Sequence, residues 1–113
     1  MVAWVKELRP KELEEVSGIP SGKWKRYISK GQDEVGLIFG LGMLMPGEVF
    51  SHAHKEEEVF YVLQGHGEAS WQINDTTHSA ELKPGVAFYK TADILHSMEN
   101  TGKEPLIGIF CKA

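Results

Sequence analysis

Glycine and proline interrupt this chain at short intervals from about residue 18 onward, a pattern that favours strands and tight turns over helices. The runs between them are short and rich in β-branched and aromatic residues, as strands are. Many short strands at close spacing predict an all-β sandwich or barrel. The interrupting residues are Gly18, Pro20, Gly22, Gly31, Pro46, Gly47, Gly65, Gly67, Pro84, Gly85, Gly102 and Pro105.

The same pattern predicts where the individual elements lie. Residues 11–16 (KELEEV) are the one stretch that could form a helix, a short one that follows Pro10. Residues 2–5 could add an edge strand, and Asn74-Asp75 is expected to form a tight hairpin turn. We expect strands near residues 23–29, 35–44, 49–52, 57–64, 68–74, 77–82, 86–89, 95–99 and 106–111.

Length and composition limit the class of protein. A chain of 113 residues that is 42% hydrophobic fits one domain, residues 1–113, with its own core. Cys111 is the one cysteine, so no internal disulfide can form, and the N-terminus lacks the apolar stretch of a signal peptide. No apolar run approaches the roughly 18–20 residues of a membrane span. We therefore expect a cytoplasmic protein that does not bind membranes.

The charge argues against a nucleic-acid-binding protein. The formal net charge is −4, whereas a nucleic-acid footprint needs a basic face. The one basic cluster is Lys23, Lys25, Arg26 and Lys30. Lys23 and Lys25 alternate with Trp24, which is typical of one solvated face of a strand.

Histidine and glutamate side chains form a candidate metal site. His52 and His54 are two residues apart, so on a strand both imidazoles project from the same face. Glu58 begins an apolar run, and the turn before it would bring it back antiparallel beside the two histidines. His96 follows a later strand and turn as the fourth candidate. Three imidazoles and one carboxylate suit a first-row divalent metal and leave one or two positions for water or substrate.

The neighbouring ionisable residues are expected to have other roles. His66 lies in a Gly-His-Gly turn and His78 lies beside a predicted hairpin turn, so both are expected to be structural or incidental. Glu56 and Glu57 could compete with Glu58 as the ligand, but only Glu58 has the spacing and strand parity that place it beside the histidines.

The frame around these residues resembles the two motifs of the cupin family. The first motif, residues 46–65, has Pro46-Gly47, the His-x-His pair, Glu58 and Gly65, with one residue fewer than usual between Gly47 and the first histidine. The second, residues 85–100, has glycine, histidine and asparagine in register. Its departures lie in the turn before the histidine, where the family usually has proline and glycine. The residues of the second motif are Gly85, Thr91 and Asp93 (the two departures), His96 and Asn100.

The resemblance implies a small single-domain cupin with an RmlC-like double-stranded β-helix, or jelly-roll barrel. It also implies one divalent metal per chain, held by His52, His54, Glu58 and His96. The sequence does not choose among iron, manganese, nickel, copper, cobalt and zinc.

Side chains that share a face with the ligands are expected to line a substrate pocket, although the same residues could simply pack the core. The expected lining is apolar and aromatic, which favours a small, largely apolar or aromatic ligand with one metal-binding oxygen group. Arg26 is the one arginine within reach. Of the two stripes in residues 39–45, the bulkier one (Phe39, Leu41, Met43, Met45) is expected to face the interior, and Gly40, Gly42 and Leu44 the other side. The expected pocket residues are Phe60, Val62, Trp71 and Met98.

Several functions fit such a site. We favour a metal-dependent enzyme with dioxygenase-type chemistry on a small oxygen-bearing metabolite. An isomerase or lyase that works through an enolate, with Glu58 as base, is the first alternative. A non-catalytic small-molecule-binding cupin is the second, and a purely structural metal the third. Exposed strand edges invite pairing, so we expect a homodimer.

Overall fold

The computed structural model describes residues 5–15, 22–29, 36–52 and 55–113, and within these ranges the side chains of Glu14, Glu15 and His52 are left out. The described residues form one short 3₁₀ helix, Pro10–Glu15, and nine strands. The strands are β1 (Lys23–Ile28), β2 (Ile38–Leu44), β3 (Val49–His52), β4 (Glu58–Gln64), β5 (Gly67–Ile73), β6 (Thr76–Leu82), β7 (Ala87–Lys90), β8 (His96–Asn100) and β9 (Leu106–Lys112).

The strands form two antiparallel sheets that make up a double-stranded β-helix. One sheet has the order β1-β2-β9-β4-β7 and the other has the order β3-β8-β5-β6. Each of the nine predicted strands is present, with ends within one residue of the prediction except at the start of β2. The crossing of the chain between the sheets brings strands that are distant in sequence side by side, such as β2 beside β9.

The N-terminal segment covers part of the outer face of the larger sheet. The helix predicted over residues 11–16 is present as a 3₁₀ helix of about two turns over Pro10–Glu15, while residue 16 lies outside the described residues. Its Leu13 is fully buried against Tyr27 and Leu41. Lys25 forms an ion pair with Glu12, and the Tyr27 hydroxyl also donates to that carboxylate. Residues 2–4 of the predicted edge strand lie outside the described residues, and Val5 is not in a strand.

The prediction for the two faces of β2 was wrong. Leu41 and Met43 pack on the outer side, beneath the 3₁₀ helix, and Met45 is exposed. The barrel interior is lined instead by the other stripe, in which Ile38 and Leu44 belong to the main core.

Interior glycines explain this reversal. A Cβ atom on Gly42 would lie 2.2 Å from the Trp24 ring, and one on Gly40 would lie 2.8 Å from the Phe110 ring. The interior volume beside β2 is therefore filled by aromatic rings from its neighbours, β1 and β9. Bulk alone does not identify the buried face when large residues on one strand occupy the space above glycines on the next.

The hairpin between β5 and β6 forms as predicted. Asn74 and Asp75 both have positive φ, 50° and 63°, and they connect the paired residues Ile73 and Thr76. Two successive left-handed residues match the twist of a two-residue hairpin. No helix within the described ranges has the length and hydropathy needed to cross a bilayer.

Candidate metal centre

Two rows of residues meet at one level of the barrel. On the larger sheet, Glu58 of β4 lies between Lys90 of β7 and Lys112 of β9, each its direct partner across the ladder. On the smaller sheet, the backbone of His52 pairs with that of His96, which in turn pairs with Trp71. The two sheets therefore bring parts of both sequence motifs to the same level.

His96 is held in an orientation suited to a metal ligand. Its ring is buried between Phe50 and Phe88, with ring centroids 5.8 and 6.2 Å away. Nδ1 lies 3.1 Å from the carbonyl oxygen of Ile94, which can only accept, so Nδ1 carries the proton. In the neutral imidazole, Nε2 then keeps its lone pair, and this atom lies 4.0 Å from Oε1 of Glu58. Histidine ligands of metals are commonly fixed by such a bond from the opposite ring nitrogen.

Glu58 is the one of three consecutive glutamates that turns inward. It is 8% exposed, and its Oε2 lies 3.7 Å from Nζ of Lys112. Glu57 is exposed and accepts a hydrogen bond from the Tyr89 hydroxyl, 2.7 Å away. Glu56 contributes its carbonyl oxygen, 3.4 Å from Nζ of Lys90. The position of Glu58 agrees with the strand parity on which it was selected.

Burial shifts the charged groups of this row in opposite directions. Burial raises the pKa of the Glu58 carboxyl above its ordinary value, although Lys112 and Lys90 act to lower it. Burial likewise lowers the pKa of Lys90, against the attraction of Glu58. The low-dielectric surroundings thus strengthen any interaction of these groups with a bound ion or ligand.

The other two predicted ligands cannot be placed. His54 and the side chain of His52 lie outside the described residues, so their role stays a prediction. Within the ranges that the structure describes, no three His, Cys, Asp or Glu side chains form a group able to hold a metal ion. His66 and His78 are exposed, the latter stacked on Trp71 with ring centroids 5.8 Å apart.

The second motif keeps its turn despite its two substitutions. Asp93 adopts a φ of 62°, a left-handed conformation that glycine takes most readily and that aspartate tolerates. Asn100, 2% exposed, donates from Nδ2 to the carbonyl oxygens of Leu44 and Glu104, each 2.8 Å away. Its Oδ1 accepts from the amide of Gly102 at 2.9 Å. The asparagine of the motif therefore ties the end of β8 to β2 and to the next turn.

A cavity of about 370 Å³ opens beside Glu58. Aromatic rings and two cations contribute to its walls. Trp71 lines a smaller cavity, of about 120 Å³, together with His96. The residues around the larger cavity are Trp24, Arg26, Phe50, Glu58, Phe110 and Lys112.

Most of the expected pocket residues pack in the core. Phe60 is 2% exposed, and Val62 and Met98 are fully buried in the main hydrophobic cluster. This is the alternative that their sequence pattern left open, and their contact with a substrate stays a prediction.

The sequence predicted an apolar cavity lining with few polar groups. The structure adds two cationic side chains, Arg26 and Lys112, to that lining. Arg26 lies two residues after Trp24 on β1, so both side chains are on the interior face of the strand, opposite Gly40 and Gly42. It is therefore separated from Lys25, whose side chain lies on the outer face against Glu12. Lys112 was missed, and the signal available for it was its parity with Phe110 in the last apolar run.

Sequence comparison finds one matching family. Residues 40–110 match the model of the cupin domain, Cupin 2 type. Among curated proteins, none matches the sequence significantly.

Solved structures similar to this chain share the same barrel. A Cupin 2 conserved barrel domain protein from Salinispora arenicola CNS-205 superposes with a TM-score of 0.75 at 16% identity, over 96% of this chain and 88% of that one. A predicted oxalate decarboxylase from Thermotoga maritima gives a TM-score of 0.65 at 26% identity, over 80% and 77%. The oxalate decarboxylase of Lactobacillus farciminis, in a formate complex, gives 0.75 at 22% identity over 88% of this chain, which spans only 31% of that enzyme.

Proposed function

The chain belongs to the cupin family, and we propose that it is a metal-dependent enzyme whose divalent ion is bound by His52, His54, Glu58 and His96. Members of this family typically bind a metal. The observation that carries the proposal is the buried Nε2 of His96, directed toward Oε1 of Glu58 at 4.0 Å. One ion can reach both atoms, since metal bonds to histidine nitrogen and carboxylate oxygen are each about 2.0–2.2 Å long.

The backbone register of β3 supports the assignment of His52. The backbone of His52 is the direct cross-strand partner of the backbone of His96, so the first motif meets the second at this level of the barrel. A His-x-His pair with a carboxylate and a third imidazole suits iron, manganese, nickel, copper, cobalt or zinc.

The chain supplies a cavity for a small oxygen-bearing metabolite beside Glu58. A bound divalent metal would polarise a substrate oxygen and, if redox-active, would supply oxidation chemistry. The rings of Trp24, Phe50 and Phe110 contribute apolar walls to this cavity. We favour dioxygenase-type chemistry on a substrate with a flat, unsaturated body, because such a body packs against aromatic walls.

A lyase or isomerase is the second candidate, and the surroundings of Glu58 favour it. Glu58 is buried and lies beside the cavity, where it would act as the base that removes a proton next to a carbonyl group. Two structurally similar proteins, at 26% and 22% identity, are described as oxalate decarboxylases. A decarboxylase cleaves a carbon–carbon bond and is therefore a lyase.

One set of assays separates these functions. The protein, purified without a histidine tag, is loaded with iron(II) or manganese(II) and given a panel of small aromatic and carboxylate compounds. Oxygen uptake that is lost in His96→Ala supports the dioxygenase, and anaerobic turnover supports the lyase or isomerase. Tight binding of a compound recovered unchanged, without turnover across the panel, would replace both with a non-catalytic binding protein.

A further inference from the structure

We propose that Arg26 recognises a carboxylate group of the ligand in the cavity beside Glu58, so that the substrate class is a small carboxylic acid with a flat apolar body. This inference rests on the proposed function for the location of the reacting centre. The inference depends on three features that line one cavity: the guanidinium of Arg26, the carboxylate of Glu58, which already faces Lys112, and three aromatic rings.

The register of β1 directs Arg26 toward the cavity. Arg26 pairs with Gly40, and Trp24 with Gly42, so neither residue faces a side chain across the ladder. A Cβ on Gly40 would come within 3.0 Å of the Cα of Arg26, which shows how closely the two backbones approach. The arginine therefore lies over a bare stretch of β2 on the interior face, at the exposed edge of the cavity.

Among the described residues around the cavity, no side chain compensates the charge of the guanidinium. Glu58 is the one carboxylate among the described lining residues, and Nζ of Lys112 lies 3.7 Å from its Oε2. Within the part of the chain that the structure describes, Arg26 makes no hydrogen bond or ion pair of its own. A divalent ion would add further positive charge. An anionic ligand offsets this excess, whereas a neutral one does not.

A carboxylate matches this arrangement better than a phosphate group does. One guanidinium can donate two parallel hydrogen bonds to one carboxylate. A phosphate carries more charge and usually draws several cations, but the second cation here, Lys112, already faces Glu58. Trp24 packs against Phe50 and Phe110, with ring centroids 4.8 and 5.6 Å apart. A flat ligand body would pack on the face that this aromatic cluster presents to the cavity.

The test compares benzoate with benzamide, which have the same shape and differ in charge. Calorimetric titrations use the wild-type protein with and without manganese(II), and the variants Arg26→Gln, Arg26→Lys and Lys103→Gln. Lys103 is the charge-matched control, because it is exposed in the turn between β8 and β9. Bound metal is quantified in every sample.

We expect benzoate to bind more tightly than benzamide, and Arg26→Gln to weaken benzoate about tenfold to hundredfold while leaving benzamide and the metal content unchanged. Arg26→Lys should recover part of the loss, and Lys103→Gln should match the wild type. Equal binding of benzoate and benzamide, or unchanged benzoate binding in Arg26→Gln, overturns the inference even if the metal is present. If manganese(II) does not bind to the protein and benzoate is still preferred in an arginine-dependent way, the inference is supported. The proposed function is then rejected instead.

Discussion

At the scale of single residues, Asn100 shows how the second motif maintains the barrel. Its amide group binds the carbonyl oxygens of Leu44, 56 positions earlier, and of Glu104, four positions later. Backbone hydrogen bonds from Gly47 to Asn100 and from Asn100 to Glu48 close the same corner. Asn100 therefore joins the turn of the first motif to the strand of the second.

Removal of this amide is expected to destabilise the whole domain. Asn100→Ala leaves buried carbonyl groups without their donor, so the free energy of unfolding should fall by about 2–4 kcal/mol. Urea denaturation measures this value. Glu99→Ala, at the exposed neighbouring position, is the control and should stay within about 0.5 kcal/mol of the wild type. Equal, small effects of both variants would contradict the structural role of Asn100.

The left-handed Asp93 allows the opposite kind of prediction. Asp93→Gly should raise the free energy of unfolding by about 0.5–1 kcal/mol, because glycine adopts a φ of 62° without steric penalty. Ala92→Gly, one residue earlier and without a positive φ, should lower it by a similar amount. Thermal and urea unfolding of the two variants should therefore shift in opposite directions. A loss of stability in Asp93→Gly would show that the aspartate side chain itself holds the turn.

The inward position of Glu58 was predictable because the evidence for it was local. Strand parity and spacing separated Glu58 from its two neighbours, because alternation along one strand is a property of a short sequence. Lys112 was missed, because its contact with Glu58 depends on the pairing of β4 with β9. That pairing joins residues 54 positions apart and is not visible in either segment alone.

At the scale of elements, β2 is the strand whose glycines decide how the interior is filled. Gly40 and Gly42 alternate with larger residues that face outward, and the space above them holds rings from β1 and β9. The existence and the limits of the strands were predictable, since turn residues lie at both ends of each apolar run. The inward face of β2 was not, because its small residues are complementary to large residues on other strands.

A methyl group on Gly42 tests this packing. Gly42→Ala should lower the free energy of unfolding by about 1–3 kcal/mol, since the added Cβ would lie 2.2 Å from the Trp24 ring. In the double variant with Trp24→Phe, the smaller ring should relieve part of this loss, which a double-mutant cycle detects as a coupling between the two sites.

The matched control for this cycle is Gly36→Ala, because a Cβ there meets nothing within 4 Å. It should change stability by less than about 0.5 kcal/mol. Strictly additive effects of Gly42→Ala and Trp24→Phe would contradict the close approach of the ring to β2.

At the scale of the whole molecule, the proposed metal centre and the main core are adjacent but distinct. The core consists of apolar residues from both sheets, among them Phe60, Val62 and Met98. The candidate ligands come from β3 and the residues after it, from β4 and from β8. The fold brings Glu58 of β4 to within 4.0 Å of His96 of β8, although β4 lies in one sheet and β8 in the other.

This separation predicts a folded protein in the absence of metal. Treatment with a chelator should leave a cooperative thermal transition, because the apolar core does not include the ligands. Added metal at a hundredfold excess over its Kd should stabilise the fold by about 2.7 kcal/mol, through preferential binding to the native state. That corresponds to a Tm increase of roughly 10 °C or more by scanning calorimetry. Loss of the cooperative transition on chelation would instead indicate a structural metal.

The most direct test of the central claim is the metal content of the untagged protein and its histidine and glutamate variants, measured by elemental analysis after equilibrium with one divalent metal. We expect about one ion per chain in the wild type, with stoichiometric metal lost in His52→Ala, His54→Ala, Glu58→Gln and His96→Ala. His66→Ala and His78→Ala, at exposed positions, should retain it. Full retention of the ion in all four ligand variants would contradict the proposed site.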